Sequence, residues 1–337
     1  MTSLASTHLW RETAASPGVL TRLARRLTST SPLAPTAITL LSTARRIVIT
    51  GNGAALYAGR VLESALRGTP AAPAAIAVEA GVIAAGALAW RDGDVVLVVS
   101  SSGELGDAVT LLPDRLPRPR VVLTAAEDST LGSAADATLR IEIESQEAVT
   151  HTQAYLSNVL TLLSLARVLG ADVGDLDSLP ERLQAQLPAA LAAATDLAAA
   201  VAGRTTGIAV ASGAGWSTAA QTALLCKEVA GLSIEGFEAR EAATTGMYAL
   251  TADTVVIVHP LAHDPQVREA ERVCALMGAG IVEMPLVAPC APLELPLLAF
   301  PSAIALAGEI GLQRGRDIDQ PDWTDAYYGT ARINPTR

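Results

Sequence analysis

A short β-branched apolar run that ends in a Gly-x-Gly turn and then turns helical occurs twice in this chain. Arg46-Ile47-Val48-Ile49-Thr50 precedes Gly51-Asn52-Gly53, and Thr206–Ala211 precedes Gly213-Ala214-Gly215. Apolar runs without alternation suit strands buried on both faces, as parallel strands under helices are. The copies stand about 160 residues apart, which points to an internal duplication. After the first copy come strands over Ile76–Val78, Val95–Val99 and Arg120–Thr124, with helical stretches between them and a closing apolar helix over Leu156–Leu169. After the second come a helix over Thr218–Gly231, a strand over Thr254–His259, a helix over Val267–Met277, a strand over Gly280–Met284 and a long apolar helix over Leu293–Glu309. That alternation predicts an α/β fold of two tandem domains, each a doubly wound parallel sheet flanked by helices. The expected division is an N-terminal helical segment over 1–35 broken at Ser16-Pro17, a first domain over 36–172, a second over 190–314 and a tail over 315–337. The stretch Asp172–Pro188 reads as a connector rich in acids and prolines, and Ala189–Ala202 as the helix opening the second half.

Composition enters as a set of exclusions. A net charge of −10 is wrong for a nucleic-acid groove, which needs concentrated Lys and Arg. Half of the 337 residues are hydrophobic, enough for sizeable cores and too many for disorder. Three scattered cysteines, Cys226, Cys274 and Cys290, have neither disulfide-framework nor zinc spacing. Apolar runs are interrupted before bilayer length and no signal peptide is apparent, so the expectation is a cytoplasmic protein with no membrane partner, no metal and no cofactor.

The chemistry concentrates at Val95–Asp107, VVLVVSSSGELGD. A buried strand running into Ser100, Ser101 and Ser102, with Gly103-Glu104 opening the next helix, places hydroxyls and free N–H groups where open α/β sheets bind ligands. A phosphate suits that place; a serine-rich helix cap is the plainer reading. The first turn also invites a dinucleotide reading, with Glu79 as ribose acid. Leu56 stands where the third glycine should be, and one acid does not restore a broken fingerprint.

Five motifs in order carry a family resemblance. Ser100-Ser101-Ser102-Gly103-Glu104 with Asp107 resembles the S-x-S-G-E-T-x-D loop of sugar isomerase (SIS) domains, and Gly51-Asn52-Gly53 stands at that family's opening turn. Ala223-Leu224 and Lys227-Glu228 resemble the A-L-x-x-K-E helix of the second SIS domain in glucosamine-6-phosphate synthases. Glu147–Tyr155 is similar to the loop before the first domain's closing helix, and Gly315–Pro321 to the G-x-D-x-D-x-P tail. His263-Asp264-Pro265 is closer to the galactosamine-6-phosphate deaminase/isomerase branch. The resemblance implies two flavodoxin-like SIS domains per chain, a homodimer, and a sugar phosphate bound by Gly51, Asn52, Gly53 and Ser100–Glu104. Glu228 would be the carboxylate that shuttles the proton of an enediol or enamine. No glutaminase domain is expected with it.

Other positions depart from the pattern. Ala54-Ala55 and Leu105 replace hydroxyl residues, Thr244-Thr245 stands where the ring-opening histidine belongs, and the two family lysines fall at Leu225 and near Ala326. Two functions therefore stay open: an isomerase or deaminase of sugar or amino-sugar phosphates, or a phosphosugar-binding protein without turnover. Candidate replacements are Arg240 and Glu241 (otherwise a solvated charge run), His151 (otherwise structural), and the tail's Tyr327, Tyr328 and Arg332. His8 reads as exposed or capping. His259 and His263 are rejected as a metal pair because Pro260 and Pro265 preclude a helix between them.

Overall fold

A computed structural model describes residues 2–28, 34–112, 115–261 and 264–331. The chain follows the order α1 (His8–Thr28), α2 (Pro35–Ser42), β1 (Arg46–Gly51), α3 (Ala54–Arg67), β2 (Ala74–Glu79), α4 (Ala80–Ala84), β3 (Asp94–Val99), α5 (Gly106–Leu111), β4 (Arg120–Thr124), α6 (Thr130–Ser133), β5 (Ala137–Arg140) and α7 (Thr152–Val168). It continues through α8 (Leu179–Val201), β6 (Thr206–Ala211), α9 (Trp216–Leu225), β7 (Ser233–Glu238), α10 (Ala239–Thr244), β8 (Thr254–Val258), α11 (Pro265–Leu276), β9 (Gly280–Glu283), α12 (Leu295–Leu298), α13 (Phe300–Gln313) and α14 (Thr324–Ala331).

Contacts divide the chain into two compact units. The β1–β5 unit comprises Gly18–Glu144, Gln153–Leu176 and Asp322–Arg337. Its five strands are parallel in the order β2-β1-β3-β4-β5, so the chain leaves β1 for one side and then returns to β3 on the other. Val95–Val99 are all buried because helices cover both faces of the sheet, as a continuous apolar run demands. Val96, Val98, Ala108, Leu111, Val122 and Leu131 form one of its cores.

The β6–β9 unit comprises Met1–Pro17, Ser145–Thr152 and Asp177–Pro321, with four parallel strands in the order β7-β6-β8-β9. Ile208, Val210, Val256, Val258, Ala239 and Val267 make its core under α10 and α11. On the other side α13 packs along α8. Leu295–Gln313 is, by length and composition, apolar enough to cross a bilayer, contrary to the expectation that every apolar run is interrupted; 89% of its most apolar window is buried as core. The α/β class with helix-flanked parallel sheets is as expected.

Several boundaries differ from the sequence expectation. Pro17 does not break α1, since Leu9, Trp10, Val19, Leu20 and Leu23 are buried on both sides of it and packing outweighs the lost hydrogen bond. Pro188 likewise lies inside α8, which starts at Leu179 rather than Ala189, because Leu183, Leu187 and Ala190 are buried. The long helix expected from Leu293 is two helices, α12 and α13. Strands β5 and β7 were not expected. Both are edge strands with interrupted burial, so neither presents a continuous apolar run.

Candidate functional site

The order β2-β1-β3 makes the carboxyl ends of β1 and β3 a topological switch point, where open α/β sheets leave a crevice. Both sequence motifs of the β1–β5 unit end there. Gly51 is required by close packing, as a Cβ on it would stand 2.9 Å from the Val99 carbonyl oxygen. Gly53 turns the chain into the fourteen-residue α3 at φ +51°, a region costly for any other residue. Asn52, exposed between them, donates its side-chain N–H to the Asp107 carboxylate in the first turn of α5. The turn and the serine loop are thereby tied together.

The loop is held from below and behind. Ser100 is buried and its N–H donates to the Leu123 carbonyl at 3.0 Å. Ser101 accepts from Asn158 Nδ2 on α7 at 3.3 Å through its hydroxyl, and its carbonyl accepts from Thr124 Oγ1 at 3.1 Å. Ser102 Oγ accepts from the Glu104 N–H at 3.2 Å. Gly103 sits at φ +67°, where a Cβ would lie 1.8 Å from Ser129 Oγ. Glu104 is 1% exposed and its carboxylate accepts from Thr130 N and Thr130 Oγ1 at 3.0 and 2.8 Å. With Gly103 left-handed and Glu104 clamped to α6, neither opens a helix. That expectation is corrected: α5 begins at Gly106. Ser101 and Ser102 stay partly exposed, so the loop offers hydroxyls, while Glu104 shapes the loop from behind. Asn158, Asp107 and Thr130 complete this constellation; only Asp107 was legible, because the other two come from distant helices.

Glu228 lies in the β6–β9 unit. The helix that carries it is not the regular one expected over Thr218–Gly231. Regular α9 stops at Leu225, and Cys226–Ala230 form a π turn closed by Gly231 at φ +65°. Such wide turns recur at functional sites because they push one residue out of the helical spacing. Gly311 of α13 lets that turn seat closely, since a Cβ there would stand 2.7 Å from the Val229 carbonyl oxygen. Glu228 Oε2 accepts from Thr150 Oγ1 at 3.4 Å. Burial pushes the Glu228 carboxyl up to about 7; the Thr150 hydrogen bond and the Lys227 charge oppose that shift without cancelling it. A carboxylate poised near neutrality can both take and return a proton.

The remaining candidates resolve as follows. His151 contacts Gln146 Nε2 at 2.6 Å, and His8, whose ring lies 3.1 Å from Glu147, is partly exposed. Thr244 and Thr245 donate their hydroxyls to the Arg240 and Glu241 carbonyls, closing α10. Glu238 ends β7 and caps α10 through the Arg240 and Glu241 N–H groups, while the Arg240 and Glu241 side chains are exposed, as the solvated-charge reading has it. Tyr327 on α14 stacks edge-on with Trp323, which precedes that helix. His259 is fully buried, its Nε2 2.8 Å from Thr222 Oγ1, and burial depresses its pKa to about 3. His263 and Arg332 lie outside the described residues. Among the described residues no group of three or more His, Cys, Asp or Glu is placed to hold a metal.

Comparison with known proteins finds relatives of the fold. Residues 40–170 match the family model of the SIS domain. No curated protein sequence matches. Among solved structures, the C-terminal domain of glucosamine-fructose-6-phosphate aminotransferase from Francisella tularensis superposes with a TM-score of 0.80 at 15% identity, over 95% of this chain and 100% of that one. Glucosamine-6-phosphate deaminase from Thermotoga maritima gives 0.73 at 16%, covering 94% and 98%. Tagatose-6-phosphate ketose/aldose isomerase from Escherichia coli gives 0.76 at 15%, covering 94% and 97%. At these identities the likeness is one of fold.

Proposed function

Starting from a chain that carries a SIS domain over residues 40–170, we propose that it binds a sugar phosphate or amino-sugar phosphate and isomerises it by proton transfer. The observation that carries the reading is the meeting of the Gly51-Asn52-Gly53 turn with Ser100–Gly103 at the β1/β3 switch point, tied by Asn52 and Asp107. Ser101 and Ser102 hydroxyls and the N-terminal N–H groups of α3 are donors suited to a phosphate. Glu228 is the base: it removes the proton from the carbon beside the carbonyl, leaving an enediolate (its enamine counterpart for an amino sugar), and returns it to the neighbouring carbon while the hydroxyl proton passes from one oxygen to the other. Its near-neutral carboxyl supports that role. We read the β6–β9 unit as a second SIS domain, because its strand order matches that of β2-β1-β3-β4 and a left-handed glycine follows its central strand two residues on, Gly213 as Gly53 does. Deamination of an amino-sugar phosphate belongs to the same reading.

One observation favours a second function, phosphosugar binding without turnover: Thr244 and Thr245 close a helix where the family resemblance expects a proton-shuttling histidine. A wash-in experiment separates the two. In deuterated buffer with fructose 6-phosphate, glucose 6-phosphate and glucosamine 6-phosphate, an isomerase places deuterium next to the carbonyl, seen by proton NMR. Deuterium incorporation that Glu228→Gln abolishes supports catalysis; thermal stabilisation by these sugars with no incorporation supports binding alone; neither one contradicts both readings.

A further inference from the structure

We propose that Thr150 is a positioning residue for Glu228, its buried hydroxyl holding the carboxyl, and that α1 and the turn after α13 hold Thr150 in place. This role rests on the reading of Glu228 as the base.

The segment Ser145–Thr152 carries no strand, and helix begins only at its last residue, so its conformation must come from outside. Two supports supply it, both within the β6–β9 unit. The first is Glu12 on α1, only 4% exposed, whose carboxylate accepts the Glu147 and Ala148 N–H groups, the latter at 3.1 Å. The second is the turn 317–320. There the Asp319 carbonyl accepts from Val149 N at 3.0 Å, and Gln320 Nε2 donates to the Glu147 carbonyl at 2.8 Å. The supports are bound to each other: the Asp319 carboxylate accepts the His8 and Leu9 N–H groups at the start of α1, at 2.9 and 2.8 Å. The backbone on the N-terminal side of Thr150 is therefore pinned at three consecutive residues.

What this ring of contacts presents is one hydroxyl. Thr150 is 5% exposed and Oγ1 donates to Glu228 Oε2 at 3.4 Å. The partner sits on a π turn, outside regular helical spacing. A donor on a pinned backbone gives its carboxyl a fixed hydrogen-bond partner, and a hydroxyl bonds an ionised carboxylate more strongly than a protonated one. The arrangement thus favours the form a base must have. A threonine that only filled space would need neither the hydroxyl nor the supports.

The test uses Thr150→Val, which keeps the shape, Thr150→Ser, which keeps the hydroxyl, Glu12→Gln, and Glu228→Gln alone and combined with Thr150→Val. Two readouts are taken at pH 8, thermal unfolding and deuterium wash-in with fructose 6-phosphate. Thr150→Val should lower kcat by about tenfold with KM unchanged, the low end for a bond to a charged group. Thr150→Ser should restore it, and Glu12→Gln should lower kcat less and add little to Thr150→Val. Thr150→Val should also lower the melting temperature by about 2–4 °C in the native background and by less beside Glu228→Gln, whose amide oxygen accepts the same hydroxyl without a charge. Equal melting losses in both backgrounds, or a serine variant as slow as the valine variant, would overturn the proposal. Full activity of Glu228→Gln would instead defeat the reading of Glu228 as base, while the melting data still reported the contact. No wash-in by the unsubstituted chain removes the catalytic reading and this role with it.

Discussion

The two switch points turn on equivalent glycines, Gly53 closing the first Gly-x-Gly and Gly213 opening the second, and differ in what fills them. Each follows the strand at the centre of a 2-1-3 order, each has a glycine at φ +51° (Gly53 and Gly213), and each faces an acid at the end of the neighbouring strand (Glu79 beside Gly51, Glu238 beside Ala211). At the first, β3 ends in three serines and Asn52 reaches Asp107. At the second, β8 ends in His259-Pro260-Leu261. Leu295 and Leu261 lie 3.0 and 3.8 Å from where a Cβ of Gly215 would stand, both buried. Glu238 meets the Gly213 N–H at 3.3 Å. The fold makes a switch point twice, and the residues after the third strand decide whether it is a polar cradle or a packed plug.

The sharpest way to break that comparison is a pair of glycine substitutions. Gly103→Ala must push Ser129 aside and hold a left-handed φ, so a loss of about 3 kcal/mol or more is expected, with phosphosugar binding abolished. Gly213→Ala has the same kind of φ with nothing within 4 Å, so about 1 kcal/mol is expected and no effect on binding. Equal losses, measured by urea unfolding, would mean the serine loop is no more constrained than the second turn.

The buried histidine marks the second switch point with a pH signature. Its pKa is depressed to about 3 by burial, so below about 6.5 the unfolded chain takes up a proton that the folded chain refuses. Stability then falls as pH drops, by about 2.7 kcal/mol at pH 4.5, and His259→Gln should flatten that slope. A slope unchanged by the substitution would place the acid sensitivity elsewhere.

Glu228 has the opposite sign. Its folded pKa, raised to about 7, exceeds the ordinary carboxyl value, so the fold holds the proton more firmly and loses stability as pH rises from about 4.5 to about 7. Glu228→Gln should therefore be more stable at pH 8, by about 2–3 kcal/mol, while losing turnover. The kcat/KM profile of the unsubstituted chain should rise through an apparent pKa of about 7. A variant that is no more stable would contradict the seat described for this carboxyl. The smallest effect expected is from Ser102→Ala, on the order of 1 kcal/mol in phosphosugar affinity.

How much of this was legible in the sequence follows from the same contrast. The central strands were readable because β3 and β8 are buried along their whole length, and the switch-point glycines because they stand directly after such strands. Edge strands β5 and β7 were not, and neither was Glu104's inward turn, which depends on Thr130 twenty-six residues later. The π turn under Glu228 and the Thr150 contact come from tertiary packing, where Gly311 permits the close approach of α13.

The most direct measurement is a thermal-shift comparison of the unsubstituted chain, Ser102→Asp and Ala214→Asp, with glucose, fructose and glucosamine 6-phosphates and their unphosphorylated parents. A ligand at about 100 times its dissociation constant adds about 2.7 kcal/mol of stability. The account predicts a shift that needs the phosphate, disappears when a negative charge enters the serine loop, and survives the same charge at the second turn. A shift indifferent to phosphate, or one that survives Ser102→Asp, would contradict it.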